Sequence, residues 1–253
     1  MRKQGLWQKS FGFPGCTPII VEPSAGALSC DAGLLPLRQF DEAFGMTRQF
    51  TDALEDQRYQ PFVDHSLLEM LRMRVYGILA DYEDQNDHSV LRSDPVFKLI
   101  AGRSPDDNDL ASQPTLSRFE NSVSIGSLFQ LRKVMIDQFI DSFAETPTRL
   151  TFDIDTFDDP THGPQQLTFF HGYYGQYQYQ PCAITCADND AVATIALLFG
   201  TASPTLGADD DIEFLVNRLR AVWPDVDVEL RADSGVPAHC GVQSAGPSTA
   251  RGG

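Results

Sequence analysis

Apolar positions recur along this chain with two different periods, and the period changes near Pro147. Before Pro147, apolar residues three and four positions apart predict amphipathic helices that each bury one face. After it, alternating and short apolar runs separated by Gly, Pro, Asp or Asn predict strands. The predicted helices are 34–44, 64–82, 96–101, a short one within 112–121, 124–143 and 208–222; the predicted strands are 150–157, 167–170, 177–186, 191–199 and 226–232.

Local signals mark the ends of several of these helices. Gly45 ends the first one, because glycine accepts the left-handed conformation found at helix C-termini. Asp94 followed by Pro95 is typical of a cap and a first-turn proline. The two longest helices before Pro147 are each expected to bury one apolar stripe: Leu67, Leu68, Leu71, Val75, Ile78 and Leu79 in the first, and Leu128, Leu131, Met135, Phe139 and Phe143 in the second.

Carboxylates stand at the ends of two predicted strands. The first strand after Pro147 delivers Asp153 and Asp155 just before turn-forming residues, and the last strand is followed by Asp233. Hard divalent cations prefer oxygen ligands and bridge readily to phosphoryl oxygens. The pattern therefore favours metal-dependent phosphodiester chemistry with Asp155 and Asp233 as ligands. Asp153 is a further catalytic candidate, although turn and cap roles are more typical of Asp153, Asp158 and Asp159.

Length and composition limit the class of protein. With 253 residues, of which 42% are hydrophobic and 10% aromatic, the chain can bury one large core or two smaller ones. We expect a cytoplasmic protein, because no apolar stretch approaches a bilayer span and the N-terminus does not resemble a secretory signal. The five cysteines are odd in number and scattered, which favours reduced thiols. A zinc site at Cys182 and Cys186 is an alternative to core packing, but no second Cys/His pair at suitable spacing follows.

The net charge argues against a nucleic-acid partner. The chain has 14 Lys/Arg and 21 Asp/Glu through residue 145, and 5 and 14 after it, so the two parts carry −7 and −9 of the formal −16. Proteins that bind phosphate backbones usually have a basic footprint. A negative net charge is compatible with DNA binding if metal ions neutralise a carboxylate site, or if the basic residues cluster on one surface.

One short segment has the composition of a recognition helix. Residues 112–121 combine a Thr cap with a small polar face and an arginine. We expect Thr115, Ser117 and Arg118 to contact DNA if this helix has that role, although many structural helices share the same composition.

The order of elements predicts an α/β protein with two regions and a tail. Residues 1–146 are expected to form a mainly helical region. Residues 147–235 have the order of the first part of a ribonuclease-H-like mixed sheet domain: an acidic strand end, a meander, a helix and a second acidic strand end. In that fold Asp155 and Asp233, 78 positions apart, lie side by side on adjacent strands.

Several long phrases carry a family resemblance. They span residues 18–235 in the expected order, and they resemble a DDE transposase of the insertion-sequence thirteen-eighty family, whose catalytic region is the group 1 transposase DDE domain. The phrases are Ser29 to Leu35, Gly77 to His88, Leu91 to Pro95, Ala111 to Asn121, Asp153 to Gly163, Trp223-Pro224 and Arg231 to Gly235.

The resemblance implies DNA cleavage and strand transfer by two-metal catalysis with Mg²⁺ or Mn²⁺, by a homodimer acting on transposon ends and target DNA. It also implies a DNA-binding or dimerisation role for the helical region, residues 1–146. It assigns Asp155 as the first catalytic aspartate and Asp233 as the second. Phe157 stands where the family usually has threonine.

The end of the sequence departs from the family. Residues 236–253 are rich in Gly, Ser, Ala and Pro, contain no acidic residue and show no strand or helix period, which predicts a disordered tail. The family's third carboxylate follows much later in its other members. We therefore expect a C-terminally truncated, incomplete domain without catalytic activity.

Two alternatives remain at this stage. A non-catalytic chain that binds DNA or dimerises, and so regulates intact transposase, fits the same features. Asp153-Ile154-Asp155-Thr156 also resembles the opening motif of haloacid-dehalogenase-like phosphatases. Those enzymes need a downstream lysine, and no lysine follows Lys133.

Overall fold

The computed structural model describes residues 9–12, 19–21, 29–163, 165–202 and 206–232. The chain divides into two compact units, Met1–Val134 and Met135–Gly253. The predicted tail, residues 236–253, lies outside the described residues, and the roles assigned to the predicted regions stay predictions. Within the described residues, no helix has the length and hydropathy needed to cross a membrane.

The first unit is mainly helical, as predicted. A short antiparallel pair of strands precedes its helices. The elements are β1 (Lys9–Phe11), β2 (Ile19–Val21), α1 (Leu34–Phe44), α2 (Met46–Asp52), α3 (Leu67–Leu79), α4 (His88–Leu91), α5 (Pro95–Ala101) and α6 (Gln113–Asn121), with α7 (Ile125–Asp141) containing the boundary between the units.

The predicted end signals of α1 and α5 are confirmed. Gly45 adopts the left-handed conformation and ends α1. The Asp94 carboxylate accepts hydrogen bonds from the backbone N–H groups of Val96 and Phe97, at 2.7 and 3.0 Å. These bonds satisfy two of the donors that a helix N-terminus leaves without an intrahelical partner.

The predicted buried stripe of α3 is confirmed only in part: Leu67 and Leu71 are partly buried and pack against the core, but the end of the stripe is exposed. The side chains with almost no exposure are Met70, Met73 and Tyr76, whereas Ile78 and Leu79 are 54% and 56% exposed. The helix is also shorter than predicted, since Ser66 accepts a hydrogen bond from the Glu69 backbone N–H and caps it, and the helix ends at Leu79.

The reason for this error is that α3 buries charge on the same face as its apolar residues. Arg72 is 4% exposed, and its Nε donates to the Thr47 hydroxyl at 3.0 Å. That hydroxyl donates to the buried Asp41 carboxylate at 2.6 Å, so the arginine is compensated inside the core. A hydropathy pattern treats such a position as exposed.

The second unit contains an open mixed sheet and a helix. The elements are β3 (Arg149–Thr156), β4 (Asp159–Pro160), β5 (Phe169–His171), β6 (Gln176–Cys186), β7 (Ala191–Phe199), α8 (Ala208–Val222) and β8 (Asp227–Ala232). Strand β6 lies at the centre of the sheet, with β3 and β4 on one side and β5 and β7 on the other, and β3 also pairs with β8. The pairs with β6 are antiparallel, and the β3–β8 pair is parallel.

Helix α8 and the C-terminal half of α7 form one core with the sheet. Phe139 of α7 packs against Phe152 of β3, with ring centroids 5.7 Å apart. The predicted apolar face of α8 is confirmed, because Ile212, Leu215, Val216 and Leu219 are all buried. In α7 the prediction holds only in part: Phe139 is buried, but Leu128 is 56% exposed and the other buried residues of this half are Ile136 and Ile140.

The other face of the sheet presents apolar side chains to solvent. Successive strand residues point to opposite faces, but the register of β7 with β6 shifts between Ile184 and Thr185, so the alternation is interrupted after Val192. Four apolar side chains of β7 are exposed. These side chains are Val192, Ile195, Leu197 and Phe199.

Candidate metal-dependent active site

Strand β3 carries two carboxylates on one face and apolar anchors on the other. Phe152 and Ile154 are buried in the core, at 0% and 5% exposure. Asp153 is half-buried and Asp155 is exposed, and both alternate with these anchors. The buried positions therefore hold the strand against the core while the two carboxylates point to the opposite face.

The parallel partner of β3 is the strand that leads to Asp233. The register runs from Arg149 opposite Asp227 to Ile154 opposite Ala232. Ala232 is the last residue described in this part of the chain, so Asp233 lies outside the described residues. The predicted approach of the Asp155 and Asp233 carboxylates stays a prediction.

A shallow concavity of about 220 Å³ opens at this end of the two strands. Its lining consists of Asp153, Ile154, Asp155, Arg231 and Ala232. The Asp155 Oδ1 accepts a hydrogen bond from the Thr156 backbone N–H at 2.8 Å, which restrains the carboxylate. Carboxylate oxygens at an open surface are the donor set that Mg²⁺ or Mn²⁺ prefers, so Asp153 and Asp155 fit a divalent ion.

The described residues alone do not form a complete metal site. Among them, no group of three or more His, Cys, Asp or Glu side chains is arranged to hold a metal ion. Asp233, the second ligand implied by the resemblance, is not among those residues.

The neighbouring acidic residues have other contacts. Asp158 accepts a hydrogen bond from the Gln176 amide at 3.0 Å, and Asp159 lies on the exposed two-residue strand β4. Neither residue lines the concavity. Asp188, which the sequence did not single out, accepts a hydrogen bond from the Thr151 backbone N–H at 2.9 Å and so supports β3.

The two cysteines of β6 belong to the core. Cys182 and Cys186 lie four residues apart on the inward face of the strand and are buried. Both are free thiols, and burial raises the pKa of each thiol above its ordinary value. Their position supports the core-packing interpretation over the zinc alternative.

The predicted DNA-contact residues lie on α6. This helix begins after Ser112 rather than at a Thr115 cap. Arg118 is exposed, and its Nη2 donates to the Thr115 hydroxyl at 3.1 Å, while Ser117 is half-buried. Thr115 and Arg118 also line a cavity of about 350 Å³, and Met70 and Phe119 are among its other lining residues. The contact of Thr115, Ser117 and Arg118 with DNA stays a prediction.

Helix α6 is held in place by a network that the sequence did not reveal. Glu120 accepts from Arg74 of α3 and from Gln85. Arg74 also reaches the buried His88 ring, with 3.0 Å between Nη1 and Nε2. The only sequence signal was that Arg74, Gln85, His88 and Glu120 fall within or close to the long phrases of the family resemblance.

Arg231 lines the concavity but was not predicted as a site residue. In the sequence it stands out only as the first residue of the phrase Arg231 to Gly235. The parallel register places Arg231 directly opposite Asp153, on the face that carries the carboxylates. The available signal was its spacing of two residues before Asp233, which puts both residues on one face of an extended strand.

Comparison with known proteins identifies the family. The family model described as transposase DDE domain group 1 matches residues 15–243. No curated protein and no solved structure matches the chain. The family match covers most of the chain, including both acidic strand ends and the helical region before them. The chain therefore belongs to the transposase DDE domain group 1 family.

Proposed function

We propose that this chain is a DDE transposase of the insertion-sequence thirteen-eighty family, acting in DNA-mediated transposition through metal-dependent strand cleavage and transfer. Its family membership over residues 15–243 supports the transposition function, and domains of this family generally use divalent metal ions. We propose Mg²⁺ or Mn²⁺ as the ion, and DNA as the partner.

One observation carries the assignment of the site. The parallel register of β3 and β8 brings Ile154 opposite Ala232, and Asp155 and Asp233 are the residues that follow them. We assign Asp155 and Asp233 as the metal ligands and Asp153 as a neighbouring carboxylate. The antiparallel β3–β6–β7 meander with a parallel β8 beside β3 supports our proposal of a ribonuclease-H-like fold.

The protein residues in this proposal bind and orient. When bound, divalent metal supplies Lewis-acid stabilisation of charge on the phosphoryl oxygens. Asp155 holds its carboxylate at the mouth of the concavity, restrained by the Thr156 N–H. Phe152 and Ile154 fix the strand from the core side, which limits movement of the ligand.

We propose that the helical region before the sheet contributes DNA binding and dimerisation. Arg118 and Thr115 provide a cation and a hydroxyl on an exposed part of α6, and Ser117 lies between them in sequence. Hydroxyl and guanidinium groups are common ligands of phosphate backbones.

We further propose that Asp155 and Asp233 do not support DNA cleavage without a third carboxylate. Asp155 and Asp233 are two of the three carboxylates that the resemblance implies, and loss of one ligand leaves a second metal poorly held. In this case the chain acts as a regulator of intact transposase. The exposed apolar residues of β7 favour this second candidate, because they offer a surface for association.

Manganese binding tests the assigned ligands. We expect Asp155→Asn and Asp233→Asn each to weaken Mn²⁺ binding about tenfold or more, because each removes a charged oxygen ligand. Asp159→Asn is the matched control, because the Asp159 carboxylate is exposed and lies outside the concavity. Isothermal titration calorimetry measures the affinities, and equal effects at Asp159 and Asp155 would disprove the assignment.

A second measurement addresses activity. Supercoiled DNA carrying the terminal repeats is incubated with the chain in Mg²⁺ and then in Mn²⁺. We expect no nicking. If the chain cleaves this DNA and Asp233→Ala abolishes the cleavage, residues 1–253 contain a functional active site. That result would contradict the proposal that the chain is a non-catalytic regulator.

A further inference from the structure

Arg231 stands in an unusual place for a cation. It is exposed at the end of β8, its Cα partner across the parallel pair is Asp153, and it lines the same concavity as Asp155. Among the five residues that line this concavity, Arg231 is the one with a positive charge.

Arg231 also differs from the other arginine on this face of the sheet. Arg149, at the opposite end of β3, forms an ion pair with Glu229 of β8. The ion pairs found between described residues do not include Arg231, although two carboxylates line the same concavity. As far as residues 206–232 and the other described ranges show, its guanidinium donors are therefore available at the mouth of the site.

From this arrangement we infer that Arg231 binds a phosphate group of the DNA strand at the candidate metal site. The inference rests on the proposed function and adds a substrate-binding residue to it. A guanidinium presents a planar fork of donors that matches two oxygens of one phosphate. Asp153 and Asp155 repel a phosphate at the same place, so a cation beside them offsets part of that repulsion.

The two roles of the positive charge predict opposite effects of its removal. Arg231 attracts a phosphate, but it repels a divalent cation bound at Asp155. Removing its charge is therefore expected to weaken DNA binding and to strengthen metal binding. A residue that only supports the fold would weaken both.

The experiment uses the full chain with three substitutions, Arg231→Ala, Arg231→Lys and Arg149→Ala. Mn²⁺ alone is the probe for the metal site, titrated by calorimetry. A short DNA duplex in Ca²⁺, at low salt, is the probe for phosphate binding, followed by fluorescence anisotropy. Circular dichroism shows that each variant is folded, which is expected because Arg231 and Arg149 are both exposed.

We expect Arg231→Ala to weaken DNA binding about tenfold, as loss of a charge-assisted hydrogen-bonding pair does. The same variant should bind Mn²⁺ about fivefold more tightly. Arg231→Lys should keep the Mn²⁺ affinity of the unaltered chain but still weaken DNA binding, because it has the charge without the planar fork. Arg149→Ala should change each affinity by less than about twofold, since Glu229 already neutralises it.

Three results would overturn the inference: no DNA binding by the unaltered chain, unchanged DNA binding in Arg231→Ala, or an equal loss in Arg149→Ala. The proposed metal ligands fail separately, if Asp155→Asn leaves Mn²⁺ binding intact. In that event the DNA titration repeated with EDTA still measures the contribution of Arg231 to phosphate binding. The two hypotheses are therefore distinguishable.

Discussion

Arg74 donates a hydrogen bond to a completely buried imidazole: its Nη1 lies 3.0 Å from Nε2 of His88. Because an arginine has donors only, Nε2 must be the acceptor, so His88 is neutral and carries its proton on Nδ1. Burial, followed by the positive charge of Arg74, lowers the pKa of His88 from 6.5 to about 4. The hydrogen-bond network of Arg74, Gln85, His88 and Glu120, which holds α6, therefore requires a neutral His88.

This pKa shift predicts an acid-dependent loss of stability. The unfolded chain takes up the proton near pH 6.5 but the folded chain only near pH 4, so the stabilisation is complete above about pH 6.5 and is lost as the pH falls towards 4. The full loss corresponds to about 3 kcal/mol of unfolding free energy. Urea unfolding at several pH values measures it. His88→Gln should remove this part of the pH dependence, whereas His162→Gln, at an exposed position, should not.

Gly200→Ala is expected to destabilise the second unit strongly. A Cβ at this position would lie 2.0 Å from the carbonyl oxygen of Gln178 and 2.8 Å from that of Phe169, and these backbone atoms cannot move aside cheaply. We expect a loss of at least about 1–3 kcal/mol, typical of overpacking. Gly172→Ala is the matched control, since a Cβ there meets nothing within 4 Å. Thermal unfolding compares the two, and equal melting temperatures would contradict the close approach of Gly200 to the backbone of β5 and β6.

Two substitutions on α8 separate core packing from surface charge. Leu215 has no exposed surface and packs in the core with the sheet, so Leu215→Ala should cost about 2–5 kcal/mol. Arg218 donates two hydrogen bonds to Asp137 of α7, at 2.6 and 2.9 Å, but both side chains are about one-third exposed. Arg218→Ala should therefore cost less than about 1 kcal/mol. Chemical denaturation measures both, and a larger loss for Arg218→Ala would reverse this ranking.

The cap of α5 gives a further test. Asp94→Ala removes the acceptor of two backbone N–H bonds and of the Ser29 hydroxyl, so it should lower the unfolding free energy by about 0.5–2 kcal/mol. Asp94→Asn keeps an acceptor oxygen and should retain most of the stability. Equal losses in both variants would indicate that the negative charge of Asp94, rather than its hydrogen bonds, stabilises the helix.

The elements of the second unit were predictable because local signals agree there. A nearly continuous apolar run between Asp190 and Gly200 predicts β7 (Ala191–Phe199). The spacing of Ile212 and Leu219, with the stop at Trp223-Pro224, predicts α8. The pairing of β3 with β8 could not come from spacing alone, since the strands are about eighty positions apart; the expected fold supplied it.

In the first unit, the hydropathy pattern did not predict the burial of charged side chains that have a hydrogen-bond or ion-pair partner. Arg72 and Glu69 lie among the buried residues of α3, so the buried face differs from the predicted stripe, and Ile78 at the end of that stripe is exposed. The same limit applies to the site. The carboxylates were predictable from strand ends, but the position of Arg231 opposite Asp153 depends on register, which a single strand does not reveal.

Strand β7 has a consequence for how this protein behaves in solution. Its nine residues carry no charge, and within the described part of the chain its only strand partner is β6, so one edge offers a template for another copy. Copies are kept apart by mutual repulsion, because each has a net charge of −16. Salt screens that repulsion over about 8–10 Å at moderate ionic strength. Colloidal stability should thus fall as salt is added, the reverse of ordinary salting-in, and purification is best done in dilute buffer well above the isoelectric point.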